Sequence, residues 1–343
     1  MVIKKSSYTP PLTITAHMLN RVVQISELLG RWSALADTTL TPTLRRGNRI
    51  RTIQASLAIE QNTLSVEQVT AVLEGKAVRG SAREIAEVLN AFAAYEALPT
   101  WVAHREADVL AAHRALMSGL VDECGAYRSG GVGIYQNQQL VHLAPPASRV
   151  PELMRDLLHW LASTDLPPLI SSCVFHYEFE FIHPFADGNG RMGRLWQTLI
   201  LSQWRSELAW LPIETLIHER QAAYYAALGQ ADRAGESTLF VAFMLDVIHA
   251  NLQAHLLKHD GVNDGVNDGV NDGVNALDDL DRQILRMMRE LPRINQSQLA
   301  QDLNCSVPTI QRRIRALRGT YIERVGSDKK GHWRVLDRYI DHD

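Results

Sequence analysis

Apolar residues recur near every 3.6 positions over much of the first 260 residues. Leu19 to Leu35, Ser65 to Gly75, Ala82 to Leu98, Glu106 to Val121, Pro151 to Ser163, Arg194 to Trp204, His218 to Arg233 and Leu239 to His259 all carry this period, which predicts amphipathic helices and a mainly α class. One stretch has a period of two. In Gly130 to His142, GGVGIYQNQQLVH, Val132, Ile134 and Tyr135 face Leu140 and Val141 across the polar turn Gln136 to Gln139, which reads as a β-hairpin. Tyr177, Phe179 and Phe181 also alternate with His176, Glu178 and Glu180, so the pattern alone leaves helix and strand both open there.

The periodicity stops at Gly261 to Asn275, GVNDGVNDGVNDGVN. This four-residue repeat has no apolar face and cannot offset its ordering entropy by burial, so residues 261–276 read as a solvated linker. A calcium-binding repeat is disfavoured, because it needs several carboxylates converging on one ion and the tract spaces single aspartates. Beyond it, Leu280 to Leu291, Gln296 to Leu303 and Val307 to Leu317 read as three short helices. Tyr321 to Val325 and His332 to Leu336 read as strands around the basic turn SDKKG. Three helices and a two-stranded wing predict a small α+β winged-helix domain over residues 277–343. Ser306 can cap its third helix, whose face Val307, Ile310, Ile314 and Leu317 is apolar. From Ser306 to Arg338 there are nine Lys/Arg against three Asp/Glu, the footprint of phosphate contact, with Arg312, Arg313, Arg315, Lys329 and Lys330 as candidate DNA contacts. A protein-binding winged helix stays open as the alternative.

Composition narrows the class without choosing a function. The chain has 343 residues, 46% hydrophobic and 21% charged, and a net charge of -3, as expected of a globular protein with two or three cores. Cys124, Cys173 and Cys305 are odd in number and without metal-ligand spacing, which argues against a disulfide framework and a zinc site. The N-terminus has no apolar run behind its lysines, and no stretch reads as the roughly 18 apolar residues of a membrane span. The expectation is a cytoplasmic protein with no membrane partner.

Candidate chemistry concentrates in His183 to Arg194, HPFADGNGRMGR. Pro184 disfavours α geometry for the residue before it, so a helix arriving through Phe181 should break at His183 and leave that imidazole in a loop. Gly188, Gly190 and Gly193 permit unusual backbone geometry before LWQTLILSQW resumes an apolar helix. A helix N-terminus offers free N–H groups and the positive end of a dipole to an anion, and Arg191 and Arg194 add two forks suited to phosphate. Asp187 suits magnesium, which favours one or two carboxylates plus phosphates. His183 is the group in this loop able to take a proton near neutral pH. Together these predict phosphoryl or nucleotidyl transfer.

The dodecapeptide matches HPFxDGNGRxGR, the signature of the Fic family, at every fixed position, and the chain resembles that family. The resemblance implies a helical core with a hairpin flap and transfer of AMP from ATP, with magnesium, to a hydroxyl of a target protein or of the chain itself. His183 would be the base, Asp187 the metal ligand and Asn189 a contact of the α-phosphate region. Arg191 would hold the β-phosphate and Arg194 the γ-phosphate, on the loop that Gly188, Gly190 and Gly193 shape. It also implies that Leu169 to Ile182 is a helix. The hairpin at Gly130 to His142, with Val132, Ile134 and Tyr135, resembles the flap that aligns targets by strand addition. AAYYAALGQAD, Ala222 to Asp232, resembles the adenine-side segment, with Tyr225 near the base and Asp232 where some relatives have asparagine.

SLAIEQNTLS, from Ser56 to Ser65, resembles the family's inhibitory motif (S/T)xxxE(G/N). Ser56 and Glu60 match, and Gln61 replaces the usual Gly or Asn. The resemblance implies that Glu60 pairs with Arg194 and removes the γ-phosphate clamp, and it leaves AMP removal open as a second activity. The expected organisation is an N-terminal helical region with the inhibitory helix over residues 1–100 and the catalytic core over 101–260. UMP, phosphate and phosphocholine transfer occur on the same scaffold. A second reading, a DNA-binding regulator whose Fic domain senses nucleotide or dimerises, stays open, as do the target, a homodimer and the nucleotide preference.

Overall fold

The computed structural model describes residues 8–39, 42–131, 133–136, 139–260, 279–303, 310–311, 313–314, 317–318, 321–325 and 332–336. The chain forms two compact units that divide between Gly265 and Val266, within the GVND repeat, and the repeat itself lies outside the described residues.

In the first unit, α1 (Ala16–Thr39), α2 (Pro42–Ile59), α3 (Val66–Leu73), α4 (Ala82–Ala97) and α5 (Glu106–Met117) precede a hairpin of β1 (Gly133–Gln136) and β2 (Gln139–Leu143). Then come α6 (Val150–Ser163), α7 (Pro168–Ile182), α8 (Asn189–Trp204), α9 (Ile213–Glu219), α10 (Gln221–Ala234) and α11 (Thr238–Asp260). Local signals set several starts. Ser65 and Ser81 each make a reciprocal capping box, with Gln68 and Glu84, at the N-termini of α3 and α4. The antiparallel hairpin pairs Gly133 with Leu143, Ile134 with His142, Tyr135 with Leu140 and Gln136 with Gln139, and a bulge falls between Ile134 and Tyr135.

At the centre lies α7. From Leu169 to Phe179 every residue is buried, including Ser172, His176 and Glu178. A helix enclosed on all sides has no polar face, so the alternation of Tyr177, Phe179 and Phe181 carries no strand meaning. The helix α2, by contrast, gave no clean periodicity because its inward face carries Asn48, Arg49, Thr52 and Ser56 beside Ile50, Ile53 and Leu57. These polar groups are used inside: Asn48 donates to the Trp210 carbonyl at 3.0 Å, and the Arg49 guanidinium lies 4.8 Å from the Tyr95 ring and 4.6 Å from the Trp210 ring.

The boundary expected at residue 100 separates two sequence regions but not two cores. Trp32, Ile53 and Val88 belong to the same buried cluster as Phe179, Leu199 and Ile248. Residues Thr238–Leu256 of α11 also correct the composition argument, for they are long and apolar enough to cross a membrane by length and composition, with a mean hydropathy of 1.3. Half of the stretch is buried in this core, with Phe240, Val241, Met244, Leu245 and Ile248 fully enclosed.

The second unit contains α12 (Asp279–Glu290), α13 (Gln296–Asp302) and an antiparallel pair, β3 (Ile322–Val325) and β4 (His332–Val335). Helical backbone at 310–311, 313–314 and 317 marks the expected third helix. Ile284, Leu285, Met288, Leu299, Ile310, Ile314, Leu317, Ile322 and Trp333 are in its core, so Ile310, Ile314 and Leu317 of the predicted apolar face are buried, while Val307 and the expected cap Ser306 lie outside the described residues.

Candidate active site

The site is the connection from α7 to α8. His183 closes α7 in the left-handed region, with φ 49° and ψ 62°, and its N–H still donates to the Phe179 carbonyl at 2.9 Å. A non-glycine residue there is uncommon and costs about 1 kcal/mol. The conformation is supported from both sides, since Pro184 follows and Arg128 Nε donates to the His183 carbonyl at 2.7 Å. The imidazole is half-buried in the turn, as the proline predicts.

The loop is built on buried bonds. Asn189 is enclosed, and its carboxamide both accepts from the Phe185 N–H and donates to the Phe185 carbonyl, each at 2.9 Å. That side chain therefore holds the loop closed, tying the residue expected near the α-phosphate to the backbone of Phe185. Gly188 caps α8 at φ 85°, where a Cβ would also meet Met117 Sδ at 2.7 Å. Gly193 lets α7 and α8 approach, for a Cβ there would lie 2.8 Å from Glu180 and 2.9 Å from His176. The N-cap Gly188 supplies no side-chain cap to α8, so among the described residues the first-turn N–H groups and the dipole suit an anion.

Arg194 lies one turn into α8 with its side chain 1% exposed. Its Nη2 donates to Glu60 Oε1 at 2.7 Å and to the Ser56 carbonyl at 3.0 Å, and its Nε donates to Ser56 Oγ at 3.1 Å. Burial works to lower the guanidinium's pKa, and the Glu60 carboxylate with Tyr224 and Glu180 raises it on balance. A Cβ on Gly190 would collide with Glu60 Oε1, so the carboxylate lies against the first turn of α8, at the anion-binding end. Glu60 itself is the C-terminal cap of α2. The Asn62 N–H reaches the Leu57 carbonyl at 3.1 Å and the Gln61 N–H the Ala58 carbonyl at 3.0 Å, the pairing of a Schellman turn, with Gln61 at φ 70°. The Gly or Asn usual at that position is thus a conformational requirement, and Gln61 meets it under strain.

At the other end of the loop, Asp187 Oδ1 accepts from the Gly188 N–H at 2.6 Å and lies 3.3 Å from Arg191 Nη2, while Oδ2 accepts from Arg83 Nη2 at 3.2 Å. Arg191 is buried and also lies 3.5 Å from Glu87, which in turn accepts from Asn62 Nδ2 at 2.9 Å. The Asp187 carbonyl faces His113 Nε2 at 3.0 Å, and His113 Nδ1 accepts from the Gly125 N–H at 2.9 Å, which makes Nε2 the donor. The same ring stacks on Phe185 at 3.7 Å. Burial lowers the His113 pKa, in keeping with a neutral positioning group. None of His113, Arg83, Glu87 and Arg128 sits in a local sequence motif, and only the tertiary fold brings them to the loop.

Tyr225 is partly exposed on α10, edge-on to Tyr224 at 5.3 Å. Tyr224 and Gln197 meet His176 at 3.0 and 2.7 Å, which makes His176 a satisfied core residue. Asp232 accepts from the Tyr177 hydroxyl at 3.1 Å. Ile134 and Tyr135 lie in β1 as expected, and Val132 lies outside the described residues. Of the five candidate DNA contacts, Arg312, Arg315, Lys329 and Lys330 lie outside the described residues. Arg313 is turned to Asp281 at 3.2 Å, so its charge is partnered within its own unit.

A helical core whose central helix turns at a histidine into a glycine-rich helix start presents a helix N-terminus suited to an anion. Residues 103–201 match the Fic/DOC family and residues 277–318 match the AsnC-type helix-turn-helix domain. A Fic family protein from Desulfovibrio desulfuricans is 50% identical, with a TM-score of 0.72 covering 97% of this chain and 100% of that one. The chain belongs to the Fic family. It is 29% identical over 68% of its length to protein adenylyltransferase fic-1 of Caenorhabditis elegans, and 30% identical over 69% to protein adenylyltransferase Fic of Drosophila virilis. It spans about half the length of these relatives, 46% and 49%.

Proposed function

We propose that the protein is a self-inhibited adenylyltransferase that moves AMP from ATP to a hydroxyl of a protein target. The observation that carries this is the Glu60–Arg194 pair at 2.7 Å, set within an unbroken HPFADGNGRMGR loop. In the reaction the target oxygen bonds to the α-phosphorus, its proton passes to His183, and the bond to the bridging oxygen breaks as pyrophosphate leaves. Arg191 and Arg194 neutralise the departing charge, and the α8 N–H groups hold the α-phosphate oxygens. Tyr225 borders the base, with Asp232 one helical turn pair further along α10. Glu60 opposes all this by occupying Arg194.

Asp187 fits a magnesium site of the kind that takes one carboxylate plus phosphates. Its carboxylate is 46% exposed at the loop edge, and its backbone is anchored by His113. Among the described residues no group of three or more His, Cys, Asp or Glu converges on one point, so the phosphates would supply the other ligands. When bound, the ion neutralises phosphate charge.

The test is intact-protein mass after wild type, E60G and E60G/H183A are incubated with magnesium and, separately, ATP, UTP, GTP and CTP. The expected result is an AMP adduct on E60G alone. An adduct from another nucleotide would replace the substrate, and no transfer to the chain or to any lysate protein would remove the transferase reading. For the C-terminal unit, the AsnC-type match and the excess of basic residues after Ser306 support duplex DNA as a partner. Binding should weaken steeply with salt, and no gel retardation at low salt would sink that reading.

A further inference from the structure

Arg128 is a charge in an unusual place. It is 4% exposed, and every partner its side chain has among the described residues is a backbone carbonyl. Nε donates to His183 at 2.7 Å, Nη1 to Gly130 at 2.8 Å, and Nη2 to Pro145 at 2.5 Å and to Ile182 at 3.3 Å. Its own N–H donates to the Pro184 carbonyl at 2.9 Å. A guanidinium carries five N–H donors in a rigid fork, and four of these bonds come from that one planar group.

The four carbonyls fall into two sets. Ile182 and His183 are the C-terminal end of α7, where a cation is favoured by the helix dipole and where the candidate base makes its left-handed turn. Gly130 lies three residues before β1 and Pro145 two residues after β2, so they are the two feet of the hairpin. One side chain therefore bolts both feet of the hairpin to the backbone of His183. A lysine would keep the charge, but its single ammonium cannot span both sets.

We propose that Arg128 is a positioning residue that holds the target-aligning hairpin and His183 in one frame, so that it governs transfer to a protein hydroxyl and not nucleotide binding. This rests on the adenylyltransferase reading, in which a target strand docks on the hairpin. A base must come within about 3 Å of the proton it removes, and displacements near 1 Å can cost about 100-fold. Nothing in the Arg128 contacts touches Arg191 or Arg194, so ATP affinity should be left alone.

The experiment compares E60G with E60G/R128K and E60G/R128A. It measures ATP affinity by titration calorimetry, the rate of AMP transfer to protein by intact mass, and amide hydrogen exchange across residues 129–146 and 183–188. R128K keeps the buried charge and serves if R128A unfolds. Expected are a loss of transfer of tenfold or more, ATP affinity within about twofold, and faster exchange in both segments together. Unchanged transfer, an equal loss of ATP affinity, or loosening of one segment alone would overturn the proposal. If E60G itself transfers nothing, the failure belongs to the adenylyltransferase reading, and the exchange data decide the coupling by the same criterion.

Discussion

Two ion pairs made by the dodecapeptide, Arg194 with Glu60 and Asp187 with Arg83, carry the same residue types in opposite settings. At the Arg194 end, a side chain 1% exposed holds a carboxylate at 2.7 Å and two groups of Ser56. At the Asp187 end, Arg83 is 54% exposed and meets a carboxylate 46% exposed at 3.2 Å. An exposed pair is screened by water and contributes about 0–1 kcal/mol, whereas breaking a buried one leaves an uncompensated charge. The Glu60–Arg194 contact is therefore the stronger of the two, and the exposed Arg83–Asp187 contact is the more easily displaced.

The sharpest way to break this comparison is to cut each end in turn. E60G should raise initial transfer by about 10- to 100-fold, taking about 1.5–3 kcal/mol for a charge-assisted hydrogen bond. R83A should change it by less than about threefold under saturating magnesium, and it should lower the magnesium needed for half-maximal rate by a similarly small factor. Equal effects would show that burial does not separate the two ends. A smaller effect concerns His176, which packs under Gly193 beside the buried end and whose pKa burial lowers to about 3. The unfolded chain takes that proton below about 6.5 and the folded chain does not, so stability should fall as pH drops from about 6.5 towards 3. Glu178, held up at about 6 by burial, acts with the opposite sign, since the folded form binds the extra proton between about 4.5 and 6. The difference in chemical denaturation between wild type and H176Q isolates the histidine, and a pH-independent difference would contradict its neutral burial. Least of all, Q61G should stabilise the inhibited form by about 0.5–1 kcal/mol by removing the left-handed strain, read as a melting rise of about 1–3 °C and a slightly lower basal transfer.

Much of the site was legible because its chemistry is local. His183 turns where Pro184 says it must, and α8 begins at the glycines with its N–H groups uncapped. Ser56 and Glu60 are four residues apart on one helix face, so their shared grip on Arg194 follows from the helical repeat. What escaped is what only the tertiary fold assembles. The helix α2 was obscured by polar residues that find partners inside, and α7 by the absence of any exposed face. Arg128 reads as one arginine before two glycines, and its significance appears only when residues 130, 145, 182 and 183 are brought around it.

The common core beneath α2 and α8 has a kinetic meaning. Glu60 sits on the last turn of a helix anchored by Ile53, Leu57 and Ile59 in the same cluster as Leu195 and Leu199, so there is no separate lobe to swing away. Glu60 is itself 34% exposed, and its carboxylate can leave Arg194 by turning about its own side-chain bonds. Such rotations take nanoseconds, whereas displacing a docked domain takes microseconds or longer. On the proposed self-inhibited reading, inhibition built this way would have no memory: the chain would sample its permissive form continually between turnovers, and its activity would report the balance of side-chain rotamers.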